Sequence, residues 1–254
     1  MAHLVATIAM KFNSHHLPVL AALTTLTAGF LYLSSCASKK SGGWEPEISS
    51  SSGGTVSPVG LLGEVRLKQD FIQSGKYGRR LYRPMFARYI TIHETENPDG
   101  DAYAHAKALK VGALRARQRK GGNRIGFLAW HFTVQQDVAI QHIPTREQGE
   151  HADFDGPGNN YSIGIEMCDH RGNSFPQTMA RAAKLAAYLM RQHNIPLNHV
   201  VPHYYWARVG TSPLHKPCPK QLMDGGRPGR KWAWFLSRVR AEYARLEPGS
   251  GPRL

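Results

Sequence analysis

The sequence predicts an α/β fold in which a central mixed β-sheet is flanked by helices. Three observations point to it. Residues 161–167, Tyr161-Ser162-Ile163-Gly164-Ile165-Glu166-Met167, form a nearly continuous apolar run of strand length, as expected at a buried central position. Residues 176–193 place Met179, Ala183, Ala186, Leu189 and Met190 on one stripe of a long helix. Strand-like and helix-like patterns alternate along the chain with a single hairpin, which indicates a mixed sheet.

The remaining elements follow in order. Residues 88–92 are β-branched and aromatic and read as a short strand. Asn97-Pro98-Asp99-Gly100 is a turn. Residues 102–118 read as a helix with Asp101 at its N-cap and Gly121-Gly122 ending it. Residues 125–134 and 138–143 read as two strands of a hairpin joined by Gln135-Gln136-Asp137. Pro176-Gln177 opens the long helix and Pro196 stops it. Val200-Val201 is a last short strand, and residues 231–246 form an aromatic-containing helix. Trp130 and Tyr161 read as core aromatics in preference to the wall of a groove. Functional residues then fall at strand ends and on loops, where sites are commonly held.

The N-terminal segment reads as an address. Residues 17–33 are apolar apart from small hydroxyl residues, a length that suits the h-region of a signal peptide. Leu33-Ser34-Ser35-Cys36 resembles a bacterial lipobox, which would make Cys36 the lipidated first residue of an exported, membrane-anchored lipoprotein facing the cell wall or periplasm. An uncleaved anchor with an incidental cysteine is the other reading. The n-region before the apolar run is long and carries only Lys11 besides histidines, so Met10-Lys11 would make a more usual start than Met1. Residues 37–62 are Ser/Gly-rich at their start and read as a flexible tether; about 20 residues of such coil span about 25 Å. The expected layout is a leader over 1–36, the tether over 37–62, one domain over 63–247 and a disordered Gly/Pro-rich tail over 248–254.

Lys and Arg number 32 against 18 Asp and Glu, giving the 254-residue chain a net charge of +14, which suggests an anionic partner. The densest stretch, Lys107 to Arg124, lacks aromatic interleaving, and no nucleic-acid-binding signature accompanies it, so nucleic acid is not the expected partner. It reads first as a solvated basic face. Three cysteines do not make a disulfide framework. Cys168, two residues beyond Glu166, reads as a small buried thiol or as a neighbour of the site.

Two distant segments carry chemistry. Ile92-His93-Glu94-Thr95 ends one apolar run; Pro202-His203 follows another, and Lys216-Pro217-Cys218-Pro219 comes shortly after. Two imidazoles and a thiolate suit Zn²⁺, and three protein ligands leave one position open, the mark of a catalytic site. There is neither CxxC nor HExxH, so the ligands would have to meet through the fold. Two structural histidines and a buried thiol fit the same residues.

Three further stretches accompany them: Ala129-Trp130-His131-Phe132-Thr133-Val134, Asn160 to Cys168 with its Ser-Ile-Gly-Ile-Glu core, and His215-Lys216-Pro217-Cys218-Pro219. Their order and spacing after Ile92-His93-Glu94 resemble the type-2 zinc N-acetylmuramoyl-L-alanine amidases, a family that includes bacterial amidases, phage-lysin domains and peptidoglycan-recognition proteins. The similarity covers about residues 85–222. It implies that His93, His203 and Cys218 bind Zn²⁺. It also implies that Glu166 serves beside the metal-bound water and that Lys216 is the cation near the cysteine. Some members use a Tyr where Trp130 stands, and others an Asp where Cys218 stands; this chain matches the Glu and Cys pattern. His151 matches loosely a histidine that lines the groove in relatives. His131 and Asn160 are further candidates for touching substrate, although His131 suits the core equally. His215 has no assigned role. The resemblance implies hydrolysis of the bond between N-acetylmuramic acid and L-alanine in peptidoglycan. The alternative is a recognition module that binds peptidoglycan without cutting it, and members of that kind commonly lack the cysteine.

Overall fold

The computed structural model describes residues 54–116, 125–249 and 251–254. The expected leader with Cys36, the first part of the tether and the second half of the basic stretch, residues 117–124, lie outside the described residues. Among the described residues no helix is long and apolar enough to cross a membrane.

The domain starts earlier than expected. Helix α1 spans Pro58–Val65, with the Ser57 hydroxyl accepting the Gly60 N–H at 3.1 Å and Pro58 in its first turn. A serine followed by proline reads as linker, but here it is an N-cap and a preset first helical residue. Leu61 and Val65 are fully buried, so residues 54–62 are removed from the tether.

The sheet has six strands: β1 Leu67–Gln69, β2 Tyr89–Glu94, β3 Phe132–Val134, β4 Ala139–Gln141, β5 Ser162–Met167 and β6 Val200–Pro202. Their order is β1-β4-β3-β5-β2-β6, and only the β3–β4 pair is antiparallel. A separate two-stranded ribbon joins β7 Met223–Asp224 to β8 Arg227–Pro228. The central strand β5 is buried as expected, yet its two sides differ. Ile163, Ile165 and Met167 join Ile90 and Ile92 of β2 in the main core. Ser162, Gly164 and Glu166 alternate with them and face the other way.

Helices complete the layers: α2 Ala102–Lys110, α3 Pro157–Tyr161, α4 Phe175–His193 and α5 Arg230–Arg245. The apolar stripe of α4 packs on the sheet and is in turn flanked by α1 and α5. Asn194, in the left-handed conformation, caps α4 and donates its N–H to the Met190 carbonyl. On the opposite face, Ala102 and Ala106 of α2 cover Val138 and Ile140, and Cys168 sits in that apolar cluster as a small buried thiol.

Several elements differ from expectation. The helix expected over 102–118 stops at Lys110. Gly112 then takes φ +67° against the Tyr77 ring, where an added Cβ would lie 2.1 Å from a ring carbon. The hairpin strands are shorter than expected, because Arg115 pairs with Phe127 and Ala129 with Glu150 only through isolated bridges. The Gly/Asn-rich stretch before β5 is the helical turn α3, whose Gly158 and Asn159 N–H groups are capped by the Asp153 carboxylate at 2.8 and 2.9 Å. Trp130 is buried and donates Nε1–H to Thr133 Oγ1 at 2.7 Å. Tyr161 is 41 % exposed with the Arg88 guanidinium over its ring, so it is no core residue.

The tail expected to be disordered is tied down. Gln192 donates to the Gly251 carbonyl at 2.8 Å, Tyr188 to Pro252 at 2.5 Å, and the Thr145 N–H to Leu254 at 3.0 Å. Upstream, Val56 N–H donates to the Arg245 carbonyl at 2.8 Å, and Glu247 N–H donates to the Val56 carbonyl at 3.0 Å.

Arg181 of α4 ties its helix to two other segments. Its guanidinium donates to the carbonyls of Glu64 and Val65 at the end of α1, and to those of Gln135 and Gln136 in the hairpin turn, at 2.7–3.1 Å. An ammonium cannot span this fork. Arg181→Lys should therefore destabilise the fold by about 1.5–3 kcal/mol, read as a lower urea midpoint at unchanged slope.

Candidate metal centre and active site

Sheet register assembles the site. In the parallel β2–β5 ladder His93 stands opposite Glu166. Their side chains leave the same face, and His93 Nδ1 lies 3.7 Å from Glu166 Oε1. On the other edge of β2, Pro202 of β6 stands opposite Ile92, so the next residue, His203, comes level with His93. Their ring centroids are 4.6 Å apart. The third arm is the loop to Cys218, whose carbonyl accepts the Tyr204 N–H at 3.1 Å and whose Sγ accepts the Glu94 N–H at 3.4 Å. One ligand atom from each of His93, His203 and Cys218 lies within 4.8 Å of the others, and all three residues are buried.

The donor chemistry of this trio fits a metal. His203 Nε2 faces the Ala152 carbonyl at 3.0 Å, which can only accept, so Nε2 carries the proton. Its Nδ1, a buried lone pair, has no hydrogen-bond partner. Burial is the main reason that His203 titrates at about 3, with the Lys216 charge adding to it. Burial likewise holds His93 well below the usual imidazole range, helped by His203, His151 and Lys216. Both rings are therefore neutral and able to ligate. Burial pushes the Cys218 thiol up, so without a cation beside it the sulfur keeps its proton.

Glu166 is nearly enclosed, its side chain 14 % exposed, and its Oε2 has no hydrogen-bond partner. Burial lifts its pKa to about 8; Lys216 pulls the other way, and Glu96, Glu94 and Asp169 add to the rise. Lys216 Nζ is held 3.1 Å from Glu96 Oε1. Burial works against the ammonium, but Cys218, Glu96 and Glu166 together outweigh it and raise its pKa. A cleft of roughly 310 Å³ opens over these groups. His93, Glu166, His203 and Lys216 share its lining with apolar Leu128, Trp130 and Phe154 and with cationic Arg115 and Arg208.

The structure thus brings together His93, His203, Cys218, Glu166 and Lys216. His151 lines the cleft as well, its Nδ1 3.0 Å from His93 Nε2. Two candidates fall elsewhere. His131 is fully buried, accepting the Gly164 N–H at 3.0 Å and facing the Glu147 carbonyl at 2.9 Å, so it fastens β5 to a loop and does not reach the cleft. Asn160 donates to the Asp155 carbonyl at 2.9 Å; its neighbour Asn159 lines the cleft, because one residue along a helical turn rotates the side chain away. His215 stacks on Tyr204, apart from the chemistry. Arg115, Arg208 and Asn159 were missed. Arg115 lay inside a basic stretch that reads as solvated, and nothing in the sequence marks Arg208 or separates Asn159 from Asn160.

Comparison with known proteins accords with this geometry. The family described as N-acetylmuramoyl-L-alanine amidase, Amidase_2, matches residues 82–221. N-acetylmuramoyl-L-alanine amidase XlyA of Bacillus subtilis (strain 168) is 40 % identical over 163 residues, 63 % of this chain and 48 % of that protein. N-acetylmuramoyl-L-alanine amidase CwlH of the same strain is 38 % identical over 179 residues, 69 % of this chain and 61 % of that protein. The chain thus spans about half to three-fifths of the length of these relatives. The solved catalytic domain of XlyA superposes with a TM-score of 0.55 at 37 % identity, covering 68 % of this chain and 99 % of that domain. With more than half of its 254 residues matched, the chain belongs to the N-acetylmuramoyl-L-alanine amidase family Amidase_2.

Proposed function

We propose that the protein is a zinc-dependent hydrolase of the peptidoglycan amide bond between the lactyl group of N-acetylmuramic acid and the L-alanine of the peptide stem. The observation that carries this reading is the buried His93–His203–Cys218 donor set with Glu166 beside it under an open cleft. The names of the relatives support the bond assigned. His93, His203 and Cys218 would hold the Zn²⁺, which would supply an acidified water at neutral pH and a polarised carbonyl.

The chain's own residues then have defined tasks. With a cation held beside it, the Glu166 carboxyl has a lower pKa and stays ionised; the carboxylate then takes a proton from the attacking water as the water oxygen bonds to the carbonyl carbon. The carbonyl electrons move onto oxygen, where the Lys216 ammonium stabilises them. When the carbon–nitrogen bond breaks, its electron pair stays on nitrogen and Glu166 returns the proton there. The products are a lactyl carboxylate and a free L-alanine amine. Leu128, Trp130 and Phe154 limit bulk water around the reacting bond. Arg115 and Arg208 make the cleft positive, which suits a stem bearing carboxylates. We further propose that the chain is exported and held at a membrane through lipidated Cys36; the support is the apolar run over 17–33 and the Ser-Ser-Cys that follows it.

Purified protein incubated with peptidoglycan should release stems that begin with a free L-alanine amine, detected by mass spectrometry. Release should cease with a zinc chelator and return with added Zn²⁺. Retention on uncut peptidoglycan would instead indicate a binding module. Glu166→Gln should keep the fold and the metal content and lower kcat by about 10²–10⁴-fold; full cleavage by that variant would contradict the assigned base. Since the two histidines are already neutral and Cys218 holds a proton, metal uptake should release the Cys218 proton, joined below about pH 8 by the one on Glu166. Apparent zinc affinity should then fall by at least about tenfold per pH unit below the thiol range. An affinity flat between about pH 8 and pH 6 would argue against thiolate ligation.

A further inference from the structure

One short loop touches both histidines of the candidate metal centre. His151 Nδ1 lies 3.0 Å from His93 Nε2, and the carbonyl of the next residue, Ala152, lies 3.0 Å from His203 Nε2. The N–H groups of His151 and Ala152 both donate to the Asn159 side-chain oxygen, at 2.8 and 2.7 Å. Asn159 is 1 % exposed; its amide donates to Glu150 Oε1 at 2.9 Å and to the Phe154 carbonyl, and its own N–H is held by Asp153 at 2.9 Å.

The direction of each bond follows from the ends of the chain of contacts. The Ser162 carbonyl, 3.2 Å from His151 Nε2, can only accept, so that nitrogen carries a hydrogen. In a neutral ring His151 Nδ1 is then an acceptor, and His93 Nε2 must be its donor. This leaves His93 Nδ1 bare on the side of Glu166 and the cluster. The His151 ring is placed from both sides. Asn159 holds its backbone, and β5 holds its face, since a Cβ at Gly164 would lie 2.9 Å from three ring atoms.

We propose that His151 is a positioning residue: the relay Ser162–His151–His93, on a backbone pinned by Asn159, fixes the orientation and tautomer of His93, while Ala152 does the same for His203. This rests on the zinc reading above. Losing such a partner commonly weakens metal binding by about 10–100-fold.

Two variants separate hydrogen bonding from packing. His151→Phe keeps a ring against Gly164 and removes the acceptor. His151→Asn gives up the ring but places an amide oxygen where Nδ1 stood. Zinc affinity is measured by competition with a chromophoric chelator, and ligand geometry by the visible spectrum of the Co²⁺-loaded protein. The relay predicts that His151→Phe binds zinc about 10–100-fold more weakly, with shifted cobalt bands and a retained thiolate band. It predicts His151→Asn within about threefold of the parent. The reverse order, or equal affinity in all three proteins, overturns it. If His151→Phe does not fold, His151→Ala replaces it; weak binding by His151→Ala with recovery in His151→Asn supports the relay, and equal loss in both overturns it. A parent chain that takes up no zinc at all overturns the zinc reading and the relay together, and so is distinguishable from failure of the relay alone.

Discussion

The site depends on how β2 is paired. β5 lies along one edge of this strand and β6 along the other, both parallel, and the register sets His93 against Glu166 and carries His203 level with them. That register is fixed from the far face. Ile163, Ile165 and Met167 are buried with Ile90 and Ile92 against α4, and each such side chain contributes about 1.5–3 kcal/mol by leaving water. A slip of one residue would turn these three side chains into the cleft and press Glu166 into apolar packing. Hydrophobic burial behind the sheet therefore determines the polar geometry in front of it.

The polar side holds groups that are costly without a cation. His203 presents a bare buried nitrogen, Glu166 a buried oxygen without a partner, and Cys218 a protonated thiol deep in the protein. Buried polar atoms of this kind normally find partners. A cation would take up the nitrogen lone pairs and the sulfur and favour ionised Glu166 beside them, so occupancy and stability of the fold should be coupled. The arrangement reads as prepared for a ligand, with its cost offset by burial in the core.

Much of this was legible in the sequence, and the limits are physical. β5, β6, α4 and α5 lie within two residues of the positions that apolar pattern and proline punctuation indicate. His93, His203 and Cys218 were open to a zinc reading because they follow apolar runs or sit in a short motif, but it was the family resemblance that favoured it over structural histidines and that implied the roles of Glu166 and Lys216. Elements stabilised by tertiary contact were not legible. Ser57-Pro58 looks like linker until Leu61 and Val65 find the core beneath α4. The helix pattern past Lys110 is interrupted by the approach of Tyr77, a residue distant in sequence. His131 and His151 are both histidines near glycines; only the fold shows that one joins backbone segments and the other meets a candidate ligand. The phase of α3, which turns Asn159 inward, depends on the Asp153 cap.

The pairing of Val56 with the segment after α5 has a consequence for how the domain comes apart. Both edges of the described fold are fastened to each other, through Val56 N–H to Arg245 and Glu247 N–H to Val56. Terminal segments usually fray independently, at little free-energy cost. Here, loosening the first residues strips the last turn of α5 of its partner, and loosening the end of α5 undocks the entry to α1. Amide exchange at the two ends should therefore rise and fall as one cooperative unit, even though nearly two hundred residues separate them in sequence.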